Sequence, residues 1–361
     1  MLLYGFVALF PLIVRFIYIT THGSNAIQSE DRPKILRYII ISAIPMFLLI
    51  ALRSNMMGND TAAYMKFFYE LKNIDFENIF NKNLRFGLER LEIGYLVFTK
   101  LTGYLTDSGL VYQIIYTLVY FVSILFFVYH EKADPFLTLF FFATLGTYMF
   151  YFTGVRQCLA MSICLFSYYA AKNKKWIMFA LLVLLACTFH KSAVMFAFIP
   201  FILNRKIKIY NFIFYIAGSF VVVNALEEIN AFVNDTLGYE YDLEDSNNGY
   251  ISFLVMLIIF VFSLMFMSRR KRANDKDTKI LINTSVLCVG LWLLRLFTRT
   301  AERPAFYFSF FLCALLSYTL CDIPKNKNKT IWILLVCGAC MLFYLYKFTN
   351  AFRHYVPYDM Y

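Results

Sequence analysis

The sequence predicts an all-α, polytopic integral membrane protein, and two observations carry this prediction. Hydrophobic residues make up 60% of the 361 residues and the mean hydropathy is +0.61, which is far too apolar for a water-soluble chain of this length. Apolar runs long enough to cross about 30 Å of hydrocarbon recur along the chain, and in such a layer only helices satisfy their own backbone groups. Residues 1–361 are therefore predicted to form a single polytopic membrane domain.

The distribution of charge predicts the orientation of the chain and excludes nucleic acid as a partner. The net charge is +11, but basic residues collect in short loops, as the positive-inside rule requires. Segment 227–250 contains seven acids and no Lys or Arg, so it is predicted to be an acidic outer loop. Six loops hold 19 of the 34 basic residues and are predicted to be cytoplasmic: 21–37, 130–135, 172–175, 204–208, 268–279 and 322–329.

This assignment predicts about twelve transmembrane helices, with both termini outside. The first apolar run lacks a basic leading region and a small-residue cleavage site, so it is predicted to be a retained helix. The predicted spans are 2–20, 35–52, 109–129, 136–153, 155–171, 176–190, 192–203, 209–226, 250–268, 280–298, 304–321 and 331–348.

The assignment depends on segment 92–105, which is short and carries Glu92 and Lys100. We expect an interfacial or re-entrant helix here, inside an outer loop that covers residues 53–108. If the segment crossed fully, the orientation of every later loop would invert.

No metal site, cofactor or disulfide is predicted. The eight cysteines lie within or beside the spans and form no CxxC pair, and only four histidines exist, so the cysteines are expected to act as small apolar residues. The sequence contains no Walker-type glycine loop that would bind a nucleotide.

Arg156 and His190 are predicted to lie at the same, outer face of the membrane. The cluster KNKK at 172–175 is cytoplasmic, and the helices on either side of it begin at Arg156 and end at His190. The two spans that meet at HKSA are short, which indicates a helix break below the outer surface and a polar cavity that opens outward.

Further polar residues are predicted at that level. Arg53, Asp60 and Tyr64 follow the second span. Arg295 lies within an apolar run, where a charge costs several kcal/mol unless it is paired or hydrated. The spacings of four and three among Arg295, Arg299, Glu302 and Arg303 predict that they share much of one helical face. An arginine-rich cavity of this kind is typical of an anion site.

Each of these residues also has a structural interpretation. Arg156 at a helix start can extend to the lipid headgroups, and His190 can be a hydrogen-bonded residue at a helix end. Asp60 can be only an N-cap. Arg299, Glu302 and Arg303 can form an ion-pair set at the interface.

Four segments, in this order, resemble the EpsG family of exopolysaccharide polymerases, which are close in role to Wzy-type O-antigen and capsule polymerases. The matching segments are GNDTAAY, with Gly58, Asp60, Thr61 and Tyr64; GVRQCLAMSI, with Arg156, Gln157 and Ala160; ACTFHKSAVMF, with Phe189, His190, Ser192 and Ala193; and RTAERPAFYF, with Glu302, Arg303 and Tyr307. Arg53 supplies an arginine that usually precedes the first segment. The element LEIGYLVF matches an acidic-glycine-tyrosine segment, with isoleucine where proline is common.

The resemblance implies transfer of a growing glycan from undecaprenyl diphosphate to a hydroxyl of the next lipid-linked repeat unit. The reaction would occur at the outer face of the bacterial cytoplasmic membrane, without a metal and with inversion. Donor and acceptor oligosaccharides, membrane lipid and a chain-length regulator are the implied partners. His190 is the best candidate for the base, with Asp60 next, and Arg156, Arg299 and Arg303 are candidates for holding the diphosphate. The implied substrate-binding set is Arg53, Tyr64, Gln157, Arg295, Arg299, Glu302, Arg303 and Tyr307.

Three other functions account for part of this pattern. A flippase needs access from both sides, often through repeats with charges at the midplane, and no convincing repeat is present. A glycan ligase would use the same chemistry as a polymerase. A membrane scaffold would not require Arg295 within an apolar run.

Overall fold

The computed structural model is all-helical, which confirms the predicted fold class. It describes residues 1–23, 27, 32–58, 60–81, 88, 91–203, 205, 249–267, 275–324, 328–350, 355 and 358–360, with scattered residues between 213 and 228. Within this part of the chain the only β-type pairing is an isolated bridge between Arg53 and Met360.

The chain divides into two compact units. Unit 1 comprises Met1–Ala197 and Leu334–Tyr361, and unit 2 comprises Phe198–Ile333. The helices of unit 1 are α1 (Leu2–His22), α2 (Arg32–Ala51), α3 (Thr61–Lys72), α4 (Ile93–Leu105), α5 (Gly109–His130), α6 (Pro135–Thr144), α7 (Thr147–Phe150), α8 (Val155–Lys172), α9 (Trp176–Phe189) and most of α14 (Lys329–Asn350). Those of unit 2 are α10 (Ile199–Ile202), α11 (Tyr250–Phe266), α12 (Lys276–Leu294) and α13 (Glu302–Asp322).

In the part of the chain that the structure describes, six helices are long and apolar enough to cross a membrane by length and composition: α1, α2 from Lys34, α5, α12, α13 and α14. Shorter apolar helices accompany them, at Pro135–Thr144, Trp176–Phe189, Lys191–Ile202 and Tyr250–Phe266. The chain is therefore a polytopic membrane protein, while the number of twelve crossings stays a prediction.

The structure corrects three of the predicted spans. The span 136–153 is broken, because α6 ends at Thr144 and Gly146 adopts a left-handed backbone with φ 93° before α7 begins. The span 280–298 ends early, at Leu294. The span 192–203 is mostly a 3₁₀ helix, Lys191–Phe198, followed by the single turn of α10.

Three predicted segments fall largely outside the described residues. These are the span 209–226, the acidic loop 227–250 and the basic loop 268–279. Their predicted conformation and side of the membrane stay predictions.

One end of unit 1 gathers the end of α2, the start of α5 and the two ends of the chain. Gln113 on α5 donates a side-chain hydrogen bond to the carbonyl oxygen of Arg53 at 2.7 Å. The backbone amide of Ser54 donates to the carbonyl oxygen of Asp359 at 2.8 Å, and the Tyr4 hydroxyl donates to the carbonyl oxygen of Tyr355 at 2.7 Å. We call this the site end of unit 1.

The opposite end of unit 1 is held by two ion pairs. Arg15 on α1 pairs with Asp134 at 2.7 Å, and Lys172 at the end of α8 pairs with Glu131 at 3.2 Å. Asp134 also caps α6, because it accepts the backbone amides of Phe136 and Leu137. Both carboxylates are buried. The pair between Lys172 and Glu131 brings the predicted loops 130–135 and 172–175 together at this end.

The segment between α2 and α5 makes no net passage through the helix bundle, because it begins and ends at the site end. Helices α3 and α4 are about 18 and 20 Å long, since an α-helix rises about 1.5 Å per residue, and neither matches a 30 Å layer. Lys100 on α4 is buried and donates to the carbonyl oxygens of Leu71 and Lys72, at 3.1 and 2.9 Å. This ammonium therefore stabilises the C-terminus of α3. The outer location of segment 53–108 stays a prediction.

Candidate functional site

Arg156 and Glu92 form an ion pair at the site end of unit 1. Arg156 is the second residue of α8, and Glu92 occupies the N-cap position of α4, where its side chain makes no capping bond to its own helix. The carboxylate accepts a hydrogen bond from the Arg156 Nη1 instead. The Arg156 side chain is 22% exposed and that of Glu92 is 13% exposed, so solvent reaches both members of the pair.

The GNDTAAY segment places a third group against this pair. The Arg156 Nε lies 3.4 Å from the hydroxyl of Tyr64 on α3. Thr61 starts α3 and donates to the carbonyl oxygen of Phe152, in the turn before α8, at 3.0 Å. Gly58 has φ +97°, and a Cβ there would lie 2.6 Å from the Thr61 hydroxyl and closer still to the Phe152 carbonyl oxygen. Glycine is therefore required at this approach.

Asp60 occupies the N-cap position of α3 and is exposed. Its carboxylate makes no capping hydrogen bond to that helix, so the residue is not acting as the hydrogen-bonding N-cap that its position suggested. Burial raises the pKa of Tyr355 to about 12. Two charged residues have smaller effects on this pKa: Arg53 lowers it and Asp60 raises it. Asp60 thus lies within electrostatic range of the C-terminal segment.

The close packing of α4 on α9 brings the HKSA segment to the same end. A Cβ on Gly94 would lie 2.8 Å from the carbonyl oxygen of Thr188 and closer still to its hydroxyl. Glycine therefore allows α4 to contact the last turn of α9, two residues before His190. The predicted break is present, because α9 ends at Phe189, His190 is extended with φ −159°, and a 3₁₀ helix follows.

The imidazole of His190 is held by Ser192. The His190 Nδ1 lies 2.6 Å from the Ser192 hydroxyl and 3.3 Å from the Ser192 backbone nitrogen. A backbone N–H can only donate. In this arrangement Nδ1 therefore accepts, and a neutral ring carries its proton on Nε2.

Arg53 lies deeper than the other predicted residues. Its side chain is fully buried, and it donates to the carbonyl oxygen of Ile50 and to the hydroxyl of Tyr116, the latter at 3.0 Å. Its guanidinium also lies over the rings of Tyr116 and Phe152, at 5.9 and 5.6 Å. These contacts support the end of α2, and a role for Arg53 in binding substrate stays a prediction.

A buried series of tyrosines connects Arg53 to the neighbour of Arg156. The rings of Tyr64 and Tyr95 are 5.6 Å apart, and the hydroxyls of Tyr95 and Tyr112 are 3.0 Å apart. Tyr112 and Tyr116 follow one another on one face of α5, with ring centroids 5.2 Å apart. The series forms a rigid packed core behind the Arg156 and Glu92 pair.

The other predicted residue of unit 1, Gln157, is buried in α8. Its amide lies 4.0 Å from the sulfur of Met161, one turn further along the same helix. The R-Q pair thus places Arg156 at the surface and Gln157 in the core.

The remaining predicted residues lie in unit 2, and here the predicted shared helical face is wrong. Arg295 follows the last residue of α12, Arg299 begins a 3₁₀ turn, and Glu302 begins α13. The turn nevertheless folds Glu302 back onto Arg295, so that their side chains pair at 2.7 Å. The sequence left pairing or hydration open for the charge of Arg295, and the structure shows pairing with Glu302.

The charged residues of this turn differ in their exposure to solvent. Arg295 is 7% exposed, whereas Arg299 and Arg303 are exposed. Tyr307 is buried within α13. The two exposed guanidinium groups therefore lie beside one arginine whose charge is already paired.

Two features of the site end were not among the predicted site residues. Glu92 was interpreted only as a charge that discouraged a membrane crossing, although its acidic-glycine-tyrosine element had been recognised. The tail residues contact several elements: Tyr355 accepts from Tyr4 on α1, the Tyr358 hydroxyl donates to the carbonyl oxygen of Leu49 in α2 at 3.1 Å, and Asp359 accepts from Ser54 in the loop after α2. The local sequence of the tail gives no sign of this contact.

Among the described residues, no three His, Cys, Asp or Glu side chains are grouped to hold a metal ion. None of the eight cysteines forms a disulfide, and six of them are buried.

Comparison with known families identifies the chain. The model of the EpsG family matches residues 36–360, which is nearly the whole sequence. The chain belongs to the EpsG family. No curated protein and no solved structure shows a significant match. EpsG is a family of Wzy-like polymerases, so membership supports a polymerase-type function in exopolysaccharide synthesis.

The site end of this EpsG chain joins the elements on which the resemblance depended. Arg156 of the R-Q segment contacts Tyr64 of the GNDTAAY segment and Glu92 of the acidic-glycine-tyrosine element. The FHKSA segment follows directly on Thr188, which contacts Gly94. The ERPAFY segment belongs to unit 2.

Proposed function

We propose that this EpsG protein is a bacterial polysaccharide polymerase of the cytoplasmic membrane. It transfers a growing glycan from undecaprenyl diphosphate to a hydroxyl of the next lipid-linked repeat unit, at the outer face. The observation that carries the proposal is the arrangement around Arg156: a partly exposed guanidinium at a helix N-terminus, contacted by side chains from two other segments of unit 1, Tyr64 and Glu92.

Arginine chemistry suits the donor. The leaving group of the reaction is a diphosphate, and guanidinium groups match its oxygens with two parallel hydrogen bonds and stay charged when buried. Arg156 is partly exposed and is assigned to hold the diphosphate and stabilise its charge as the sugar departs. Arg299 and Arg303 are exposed in unit 2, and the role predicted for them from the sequence stays a prediction.

The reaction is a single displacement with inversion at the anomeric carbon. The acceptor oxygen forms the new bond to that carbon as the bond to the phosphate oxygen breaks, and the electron pair leaves with the diphosphate. The acceptor hydroxyl proton passes to a base. Arg156 supplies positive charge at the leaving group, and the proposed transfer is independent of a metal ion.

Asp60 and His190 are the two candidates for the base, and the geometry favours a reversal of their predicted order. Asp60 presents an exposed carboxylate that makes no capping bond to α3. His190 accepts the Ser192 amide at Nδ1, so its neutral ring offers an N–H donor at Nε2. We assign proton acceptance to Asp60 and hydrogen-bond donation to His190.

Lipid-linked donor and acceptor glycans are the proposed substrates, with surrounding lipid and a chain-length regulator as further partners. Glycan length in a deletion strain tests the function against its rivals. A polymerase defect leaves exported single repeat units, whereas a flippase defect leaves none exported and a ligase defect leaves full-length polymer on its lipid carrier. Either of the last two results would overturn the proposal.

A further inference from the structure

The charge of Arg156, which the proposed function assigns to the donor diphosphate, is already occupied by a carboxylate. Glu92 accepts from the Arg156 guanidinium, although its place at the N-cap of α4 would allow it to bind the amides of its own helix. A side chain that leaves its own helix N-terminus for a neighbouring cation is behaving as a ligand of that cation.

The surroundings of the pair favour an anion in this position. Arg156 lies in the first turn of α8, where backbone N–H groups lack helical partners and the helix dipole attracts negative charge. The Tyr64 hydroxyl is 3.4 Å from the Arg156 Nε, so the guanidinium is approached from a second direction. Both members of the pair remain partly exposed, which allows an exchange of ligands without unfolding.

The position of Glu92 is fixed from behind. Gly94 lies against Thr188 without room for a Cβ, and Tyr95 is buried in the tyrosine series. The backbone that carries Glu92 is therefore held, and only the side chain is free to rotate away from Arg156.

We infer that Glu92 is an intramolecular competitor for the diphosphate site: it occupies Arg156 when no donor is bound, and the donor diphosphate displaces it. A diphosphate offers more negative charge and more acceptor oxygens than one carboxylate, so it wins the exchange, whereas weaker anions do not. After transfer, Glu92 returns to Arg156 and promotes release of the lipid diphosphate. The inference relies on the proposed function only for the identity of the diphosphate.

Pyrophosphate binding to the purified full-length protein in detergent tests the competition directly. Glu92→Gln removes the competing charge and keeps the shape of the side chain, so the pyrophosphate Kd should fall by about tenfold or more, as expected for loss of a charge-assisted contact. Glu92→Asp keeps the charge but shortens the side chain, and its Kd should lie between those of the native protein and of Glu92→Gln. Arg156→Gln should bind pyrophosphate far more weakly than the native protein.

Glu70→Gln is the matched control. Glu70 lies in the same unit, on α3, and pairs with Lys66 at 3.6 Å on an exposed surface. The Kd of the Glu70→Gln variant for pyrophosphate should equal that of the native protein. If Glu92→Gln or Glu92→Asp binds pyrophosphate no tighter than this control, Glu92 merely supports Arg156 and the inference is overturned.

A transfer assay with lipid-linked repeat units gives the second readout. Glu92→Gln should lower both KM for the donor and kcat, because the product diphosphate leaves slowly. A loss of kcat with KM unchanged or raised would contradict the release role. If the native protein forms no polymer in this assay while the pyrophosphate series behaves as expected, the proposed function fails and the competition at Arg156 stands.

Discussion

The side-chain amide of Gln113 donates a 2.7 Å hydrogen bond to the backbone carbonyl oxygen of Arg53, which joins the start of α5 to the end of α2. The segment between α2 and α5, residues 52–108, must therefore return to the end from which it left. This contact gives the first prediction, which concerns topology.

Cysteines introduced at Asp107 and Lys175 should be labelled from opposite sides of the membrane. Both positions are exposed, and they lie at the site end and the opposite end of unit 1. In a background with Cys187 and Cys321 replaced by serine, an impermeant maleimide should label position 107 in intact cells and position 175 only after lysis.

Labelling of position 175 alone in intact cells would show that the orientation is the reverse of the predicted one. Equal labelling of both positions would contradict the fold. Reporters after Arg272 and near Asp245, which lie outside the described residues, should read cytoplasmic and external respectively.

Arg156→Lys should abolish polymer at normal protein levels. Lysine keeps the charge but cannot form two parallel hydrogen bonds to a diphosphate or hold Glu92 and Tyr64 together. Gel analysis of surface glycan should show single repeat units, whereas Arg205→Lys at an exposed arginine should give native polymer. Native polymer from Arg156→Lys would favour simple extension to the headgroups.

Asp60→Asn should leave only single repeat units, because the amide preserves size but cannot accept the acceptor proton. His190→Gln should retain a substantial part of the polymer, since glutamine supplies an N–H near the position of Nε2, whereas His190→Ala should lose it.

The two positions are judged by glycan length at matched protein levels. Full-length polymer from Asp60→Asn, with none from His190→Gln, would return the role of base to His190.

Gly94→Ala should destabilise the protein by about 1–3 kcal/mol and reduce polymer, because the new Cβ forces α4 away from Thr188. Gly338→Ala is the control, since a Cβ there meets no atom within 4 Å. Alanine in place of glycine should raise helix stability slightly at that position. Thermal unfolding in detergent compares the two, and equal midpoints would contradict the close packing.

Tyr116→Phe should lower the free energy of unfolding by about 1–3 kcal/mol, because it leaves an Arg53 N–H buried without its acceptor. Tyr104→Phe, at an exposed tyrosine of α4, should have little effect. Denaturant titration in detergent measures the free energy of unfolding of both variants. An unchanged value for Tyr116→Phe would mean that Arg53 finds another acceptor.

Composition and loop charge were enough to predict the all-helical membrane fold, and the short helices around HKSA predicted the break at His190. The turn after Leu294 could not be predicted, because an apolar run with one arginine predicts a continuous helix. Only the pairing of Arg295 with Glu302 reveals the turn. Glu92 was missed for a related reason: a charge next to a short apolar helix indicates where the helix lies, but not which cation it contacts. Pairings across more than sixty residues leave no local pattern.

The hydrogen bond from Tyr4 to Tyr355 and that from Ser54 to Asp359 connect residues separated by more than 300 positions. A ribosome makes the first helices long before the last residues, and long-range contacts of this kind form late and slowly. The loop that carries Asp60 therefore stays without the support of Asp359 until that residue has been made. A chain interrupted before Tyr355 would insert most of its helices yet lack the contacts that hold this loop.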